Sequence, residues 1–254
     1  MPAKKTPANL PAKATGTNLV DLKAQLAAQV AALSERTTQS GGASIRITQD
    51  KKFKFPDNTE DTQFEGVIVD FVVTRSFYEG TYDPNNIQPP ACFAISPTSK
   101  GMVPSNNSPV KQSDACDTCP NNAFGSGPNN SKACKEGRKL ALLPADADAD
   151  APIWPLVLSP TAVRAFDGYI QGVGRQFNVP PVGVVTHFGF DPASTYASVR
   201  CDNPVPNENL AAHFARQAEA QQLLNIEPDT SKYGQEPPAR PRAPAARRNT
   251  VTRR

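Results

Sequence analysis

The stretch from Ala91 to Pro144, ACFAISPTSKGMVPSNNSPVKQSDACDTCPNNAFGSGPNNSKACKEGRKLALLP, limits this chain's folding more than any other. It holds four of the five cysteines: Cys92, Cys116, Cys119 and Cys134. Between them nearly every residue is Ser, Asn, Pro, Gly or Lys. Such a segment has too little apolar surface to close a core of its own. Something other than hydrophobic burial must order it.

The spacing, C-x23-C-x2-C-x14-C, suggests what that is. A C-x2-C pair sets two thiolates on one tight turn at the span of a tetrahedral metal. Two cysteines arriving from flanking segments complete a four-thiolate structural site, so one structural Zn2+ per chain is expected at Cys92, Cys116, Cys119 and Cys134. Cys92 leaves the strand-like ACFAI and Cys134 precedes the strand-like RKLALL, so the metal would staple the neck of the excursion. The chemical rival is an iron–sulfur cluster, because Pro120 follows Cys119 as in some ferredoxin runs, although ferredoxin spacing is otherwise absent. Free buried thiols and disulfides are the bland readings. An odd number of cysteines in a chain without a secretory leader points to a reducing compartment, which disfavours disulfides. Cys201, far along in SVRCDNP, reads as a strand residue.

Apolar residues make up 38% of the 254, and 26 are proline. Part of the chain is therefore expected to be extended or disordered. No apolar run approaches the roughly 18 residues of a membrane-spanning helix. Net charge is +3 but uneven: the last 18 residues hold six arginines and no acid, while Lys4, Lys5 and Lys13 lie near the start. The stretch 14–236 is left at −6. A basic arm over 1–17 and an Arg-rich tail over 229–254, both disordered, are expected to meet an anionic polymer, most often nucleic acid.

Between these ends, NLVDLKAQLAAQVAALSER has helical apolar spacing and predicts a helix over 18–36. ASIRIT and KKFKF alternate around QDK like a hairpin, FEGVIVDFVVTRSFY reads as a long strand, and RKLALLP and IWPLVLS follow. SPTAVRAFDGYIQGVGRQF has Ser159 at the N-cap and Pro160 at N1, predicting a helix of about five turns. PVGVVTHFGF and TYASVRC are strand-like, and NENLAAHFARQAEAQQLL is a last helix within 204–228. Short strands around one internal helix, with a polar insertion, fit a β-rich α+β domain over 40–203. The expected architecture is an OB-like Greek-key barrel with an inserted four-cysteine zinc ribbon at 92–139, flanking helices and disordered basic ends. Such barrels bind nucleic-acid strands across an open face.

A sequence-tolerant strand binder needs cations along the phosphates and aromatics under the bases. Arg46, Lys51, Lys52 and Lys54 supply the first in IRITQDKKFKF. Arg75, Tyr78 and Tyr82 follow in TRSFYEGTY, and Lys132, Lys135, Arg138 and Lys139 lie near the exit of the insertion. Phe53 and Phe55 share one strand face and suit a core equally well. Catalytic patterns are weak. His187 and His213 lack metal-ligand spacing. Asp146, Asp148 and Asp150 lack the glycine and glutamate of a calcium loop. GYIQGVGRQ lacks the Lys-Ser/Thr end of a phosphate loop. The chain reads as a non-enzyme with no small-molecule substrate.

VIVDFVVTRSFYEGTYDPNNIQPPACFAI, CDTCPNNAFGSGPNNSKACKEGRKLALLP and LSPTAVRAFDGYI together resemble a family of tailed-phage proteins over roughly residues 44–203. The arrangement is similar to the phage single-stranded-DNA-binding proteins that carry a zinc ribbon within an OB fold. Two departures stand out: Cys92 takes the place of a histidine ligand, and the tail is basic where theirs is acidic and recruits partners. The resemblance implies a single-stranded DNA-binding protein of DNA replication and recombination in the host cytoplasm, with phage replication proteins as further partners. Two alternatives stay open. One is a transcription or replication accessory factor that grips a polymerase through its zinc ribbon. The other is a packaging or virion-internal protein acting through its arginines.

Overall fold

Phe64–Phe77, dense in β-branched and aromatic residues, forms a single strand of 14 residues. It is long enough to organise nearly everything else. The structure, a computed structural model, describes residues 44–80, 86–148 and 150–234. The expected helix at 18–36, the basic arm at 1–17, Tyr82 and the tail from residue 235 onward lie outside the described residues.

Three two-residue strands, β1 (Arg46–Ile47), β2 (Phe53–Lys54) and β3 (Glu60–Asp61), make a small antiparallel sheet. The long strand β4 (Phe64–Phe77) comes next. It is followed by β5 (Cys92–Ser96), β6 (Lys135–Pro144), β7 (Trp154–Leu158), helix α1 (Pro160–Phe177), β8 (Val184–Phe190) and β9 (Val199–Pro206). Two short helices, α2 (Leu210–Phe214) and α3 (Gln217–Leu224), close the element order. The large sheet is antiparallel with the order β7-β6-β4-β8-β9, and β5 also pairs with β4. One edge of β4 takes β6 from Gly66 to Ser76. The other takes β8 opposite Phe64 to Val67 and β5 opposite Val73 to Phe77. A bulge between Ile68 and Asp70 shifts the register midway, re-aiming the side chains beyond it.

The sheet is covered on both faces. Ile68, Leu140, Leu142, Leu156, Leu158 and Phe188 pack with Phe53 of the small sheet and Ala162 and Phe166 of α1. Strand alternation sends Ala141 and Leu143 to the opposite face, where Ala220 and Leu224 of α3 cover them. Phe53 stacks on Phe190 at 4.4 Å and meets Phe64 edge-on at 4.8 Å, so the small sheet lies over the large one. Ile45 joins it to β7 through a parallel bridge to Leu156. Among the described residues the strand pairings do not run round a closed ring.

Helix α1 begins as its sequence suggests, with Ser159 extended at the cap position and Pro160 first in the helix. It stops at Asn178, in the left-handed region at φ 54°, which Asn tolerates better than most residues. Three elements differ from expectation. β3 has no apolar signature and exists by pairing with β2. β9 starts four residues later than TYASVRC and runs on through Pro204 and Pro206. Residues 191–198 are taken up by the turn in which Asp191 N–H donates to the Ser198 carbonyl, and the prolines fit because β9 is a sheet edge. The last helix is two helices, with His213 buried between Asn207, bonded at 3.0 Å, and the Ala147 carbonyl at 3.3 Å.

Phe166, fully buried and edge-on to Phe71 at 5.1 Å, pins α1 to the sheet. Phe166→Ala should cost about 3–5 kcal/mol, read as a lower urea midpoint at unchanged slope. A loss under 1 kcal/mol would mean that α1 does not close this core.

Candidate functional site

β5 and β6 flank the C-terminal half of β4, and the polar segment leaves from one and returns through the other. That topology brings the cysteines together. Cys92 opens β5 in register with Phe77, and Cys134 precedes Lys135, the first residue of β6. The Cys116 N–H donates to the Met102 carbonyl and the Cys134 N–H to that of Asn121, which fix the CxxC turn between them. Cys92, Cys116, Cys119 and Cys134 line one cavity of about 20 Å³ with Phe77 and Pro104. This is room for one water-sized sphere. All four carry free thiols. Burial pushes Cys134 up to about 11, and the other three cysteines add to the shift. Burial also raises Cys116. Among the described residues no group of three or more His, Cys, Asp or Glu is drawn in to metal-holding spacing, so the thiols surround the cavity without closing on its centre.

A run of ion pairs anchors this site. Arg75 on β4 is 6% exposed. Its Nη1 donates to Asp117, inside the CxxC turn, at 3.1 Å, and its Nε and Nη2 donate to Glu136 at 3.2 and 3.1 Å. Nη2 also donates to the Ser99 carbonyl at 3.1 Å. Arg75 and Glu136 are directly opposite in the β4–β6 register. Glu136 then accepts from Arg138 at 3.0 Å, and Arg138 grips Asp167 of α1 through two bonds of 3.0 and 2.7 Å. Burial opposes ionisation of Glu136, yet the Arg138 hydrogen bond and the two guanidinium charges outweigh it and hold its carboxyl below the usual range.

These contacts correct part of the expected nucleic-acid face. Arg75 and Arg138, at 6% and 5% exposure, spend their guanidiniums on the protein's own carboxylates. Neither is placed for a phosphate. Lys139 is half-buried and donates to the carbonyls of Leu223, Leu224 and Ile226 at 3.0–3.1 Å, capping the C-terminus of α3. Lys51 sits in the hairpin turn at φ 59° with its ammonium on the Ser194 carbonyl at 2.6 Å. Lys135 reaches back to the Lys132 carbonyl at 2.6 Å.

Two groups face outward. At one end, Arg46 and Lys54 are register partners on the small sheet, with Lys52 on the same side in an exposed pair with Glu60 at 3.2 Å. At the other end, Tyr78 is half-exposed just past β4, and Lys132 lies 5.0 Å over the ring of Phe124. The two groups lie at opposite ends of β4, a span of about 43 Å at about 3.3 Å per residue. Sequence reasoning missed Phe124, which is 77% exposed. An isolated aromatic inside NNAFGSG has no apolar neighbours to join, and that was its signal. His187 is held by Asp202 at 2.7 Å and by Gln63 at 3.3 Å. Asp146, Asp148 and Asp150 are exposed in the β6–β7 connection. Cys201 is a buried strand residue whose thiol burial pushes well above its usual value.

No protein-family model, no curated protein and no solved structure matches this chain.

Arg75→Met removes the cation while Asp117 and Glu136 remain. Breaking such a pair from one side should cost about 3–5 kcal/mol and should expose residues 97–133 to protease before the rest. Arg75→Met with wild-type stability and digestion would show that the ion pairs do not hold the cysteine segment.

Proposed function

We propose that this protein is a single-stranded nucleic-acid-binding protein whose cysteine segment is ordered by one structural zinc ion. The reading extends to an OB-like partial barrel and to work on DNA during phage replication and recombination in the host cytoplasm. The observation that carries it is the outward row of Arg46, Lys52 and Lys54 on the small sheet, set over an aromatic layer of Phe53, Phe55 and Phe64. Cations over a β-sheet body are what a strand's phosphates need. Lys132, Lys135 and Tyr78 at the far end, and the six arginines of residues 237–254, supply further contacts.

The four thiols fit zinc in donor type and number. They share one ion-sized cavity, and burial together with crowding by neighbouring thiols raises Cys116 and Cys134 above the ordinary thiol value. A bound Zn2+ would supply charge neutralisation and a covalent-strength staple, with Cys92, Cys116, Cys119 and Cys134 as its ligands. Small Val73–Ala94–Met102–Cys116 packing is the apolar core beneath them, which suits a segment that depends on a metal.

The exposed ring of Phe124 favours a second reading, in which the tip of the cysteine segment grips a polymerase or other partner protein. Mobility shifts separate the two: a strand binder should retard single-stranded DNA ahead of duplex, and an adaptor should retard neither. On the first reading, deleting residues 237–254 should weaken binding and flatten its salt dependence by about 0.7 per lost phosphate contact. Single-strand preference should survive, because only unpaired bases stack. A truncated protein that bound no single strand at low salt would overturn the reading.

Metal content provides the companion test. Wild-type protein should carry about one zinc per chain and Cys119→Ser much less, with residues 93–133 becoming protease-sensitive. A full complement in Cys119→Ser would remove Cys119 from the ligand set.

A further inference from the structure

An open cleft of about 250 Å³ lies between the small sheet and the ends of β4, β6 and β7. Its walls are aromatic: Phe55 lies 5.3 Å from Phe64 and 5.8 Å from Trp154 between ring centroids. Its polar lining is Asp57, Thr59 and Glu65. The Thr59 hydroxyl and N–H both donate to Asp57 Oδ1, at 2.6 and 2.9 Å, so the hydroxyl proton is already used. Strand alternation turns the Glu65 side chain to the face opposite Phe64, so Asp57 is the charged side chain at this rim, with no cation among the lining residues.

An apolar cleft whose one rim charge is a carboxylate suits an uncharged ring that carries N–H donors. Carboxylates repel a phosphate but accept from an exocyclic amino group. Phosphate sites stand close by. Lys54 and Phe55 are consecutive on an extended segment, so their side chains project to opposite faces: Lys54 outward beside Arg46, Phe55 inward to the cavity. A strand running along the cations can therefore turn one base under the hairpin while its phosphates stay outside. We infer that this cleft, walled by Phe55, Phe64 and Trp154 with Asp57 at its rim, is a pocket for one amino-bearing nucleobase, cytosine or adenine. Thymine and uracil offer a carbonyl at the ring position where cytosine carries its amino group, and guanine does so where adenine carries its own. The inference rests on the strand-binding reading and adds base selection to it.

Trp154 is the only tryptophan in the chain, so its fluorescence reports this pocket alone. The full-length protein is titrated with end-labelled oligo-dC, oligo-dA and oligo-dT of equal length. Label anisotropy reads binding, and tryptophan emission reads pocket entry. Oligo-dC and oligo-dA should quench Trp154 and bind about tenfold tighter than oligo-dT, as one well-bonded base edge supplies. Asp57→Asn, which keeps an acceptor oxygen for Thr59, should shrink that ratio. Anisotropy showing tight binding with Trp154 emission unmoved would overturn the pocket and leave strand binding standing. Equal quenching and equal affinity for all three would overturn the selection by amino groups. Failure of every oligonucleotide to bind would remove the strand-binding reading and the pocket with it.

Discussion

The guanidinium of Arg75 holds the cysteine-bearing half of the molecule to the sheet. From near the C-terminal end of β4 it reaches Asp117 in the CxxC turn, Glu136 two residues beyond Cys134, and the Ser99 carbonyl in the loop leaving β5. Each limb that carries a cysteine is thereby tied to one point on β4. A buried cation is costly unless its partners are complete, and here its donors meet two carboxylates and a carbonyl. Glu136 passes the interaction on to Arg138 and Asp167, so the CxxC turn and helix α1 share one run of alternating charges through the sheet.

This also explains why the cations were misjudged from sequence. Arg75 sits beside aromatics in TRSFYEGTY and Arg138 beside lysines in KEGRKLALL, contexts that read as phosphate contacts. Glu136 is two residues from Arg138, but Asp117 and Glu136 lie 42 and 61 residues from Arg75, and Asp167 lies 29 from Arg138. No local pattern carries those longer pairings. Lys139 was misjudged for the same reason, since the α3 carbonyls it caps lie 84–87 residues downstream. What was legible was local. The 14-residue strand announces itself by β-branched density, α1 by Ser159-Pro160 and its apolar spacing, and the cysteine cluster by C-x2-C in a segment without a core. The spacing also leads to the expectation that Cys92 joins the other three, and the structure adds the means, β5 and β6 flanking the same strand.

Strand length sets the scale of the remaining chemistry. One strand is shared by two environments, because β8 pairs with its first residues and β5 with its last. The first end is packed with phenylalanine and carries outward cations on a small, separate sheet. The second is polar, charge-bonded and built around thiols. Their cores are distinct: Phe53, Phe188 and Phe166 on one side, and Val73, Ala94, Met102 and Cys116 on the other. The second core is far too small to be stable from apolar area alone. The two ends therefore differ in what they need to stay folded, the first relying on aromatic burial and the second on ion pairs.

That division bears on how a strand could lie on the protein. Tyr78 is placed by the end that depends on Arg75, and the C-terminal segment is fastened there too, with Ser105 and Asn107 donating to Glu227 at 2.5 and 2.6 Å and the Tyr233 hydroxyl to Glu79 at 2.6 Å. The described chain therefore ends near the cysteine-bearing end of β4, far from Arg46 and Lys54. On the strand-binding proposal, a polyanion would meet Arg46, Lys52 and Lys54 at one end of β4 and Lys132 and Lys135 at the other, while their carboxylates withhold Arg75 and Arg138. Such an arrangement would favour an extended ligand over a compact one, because only an extended chain of phosphates can reach both.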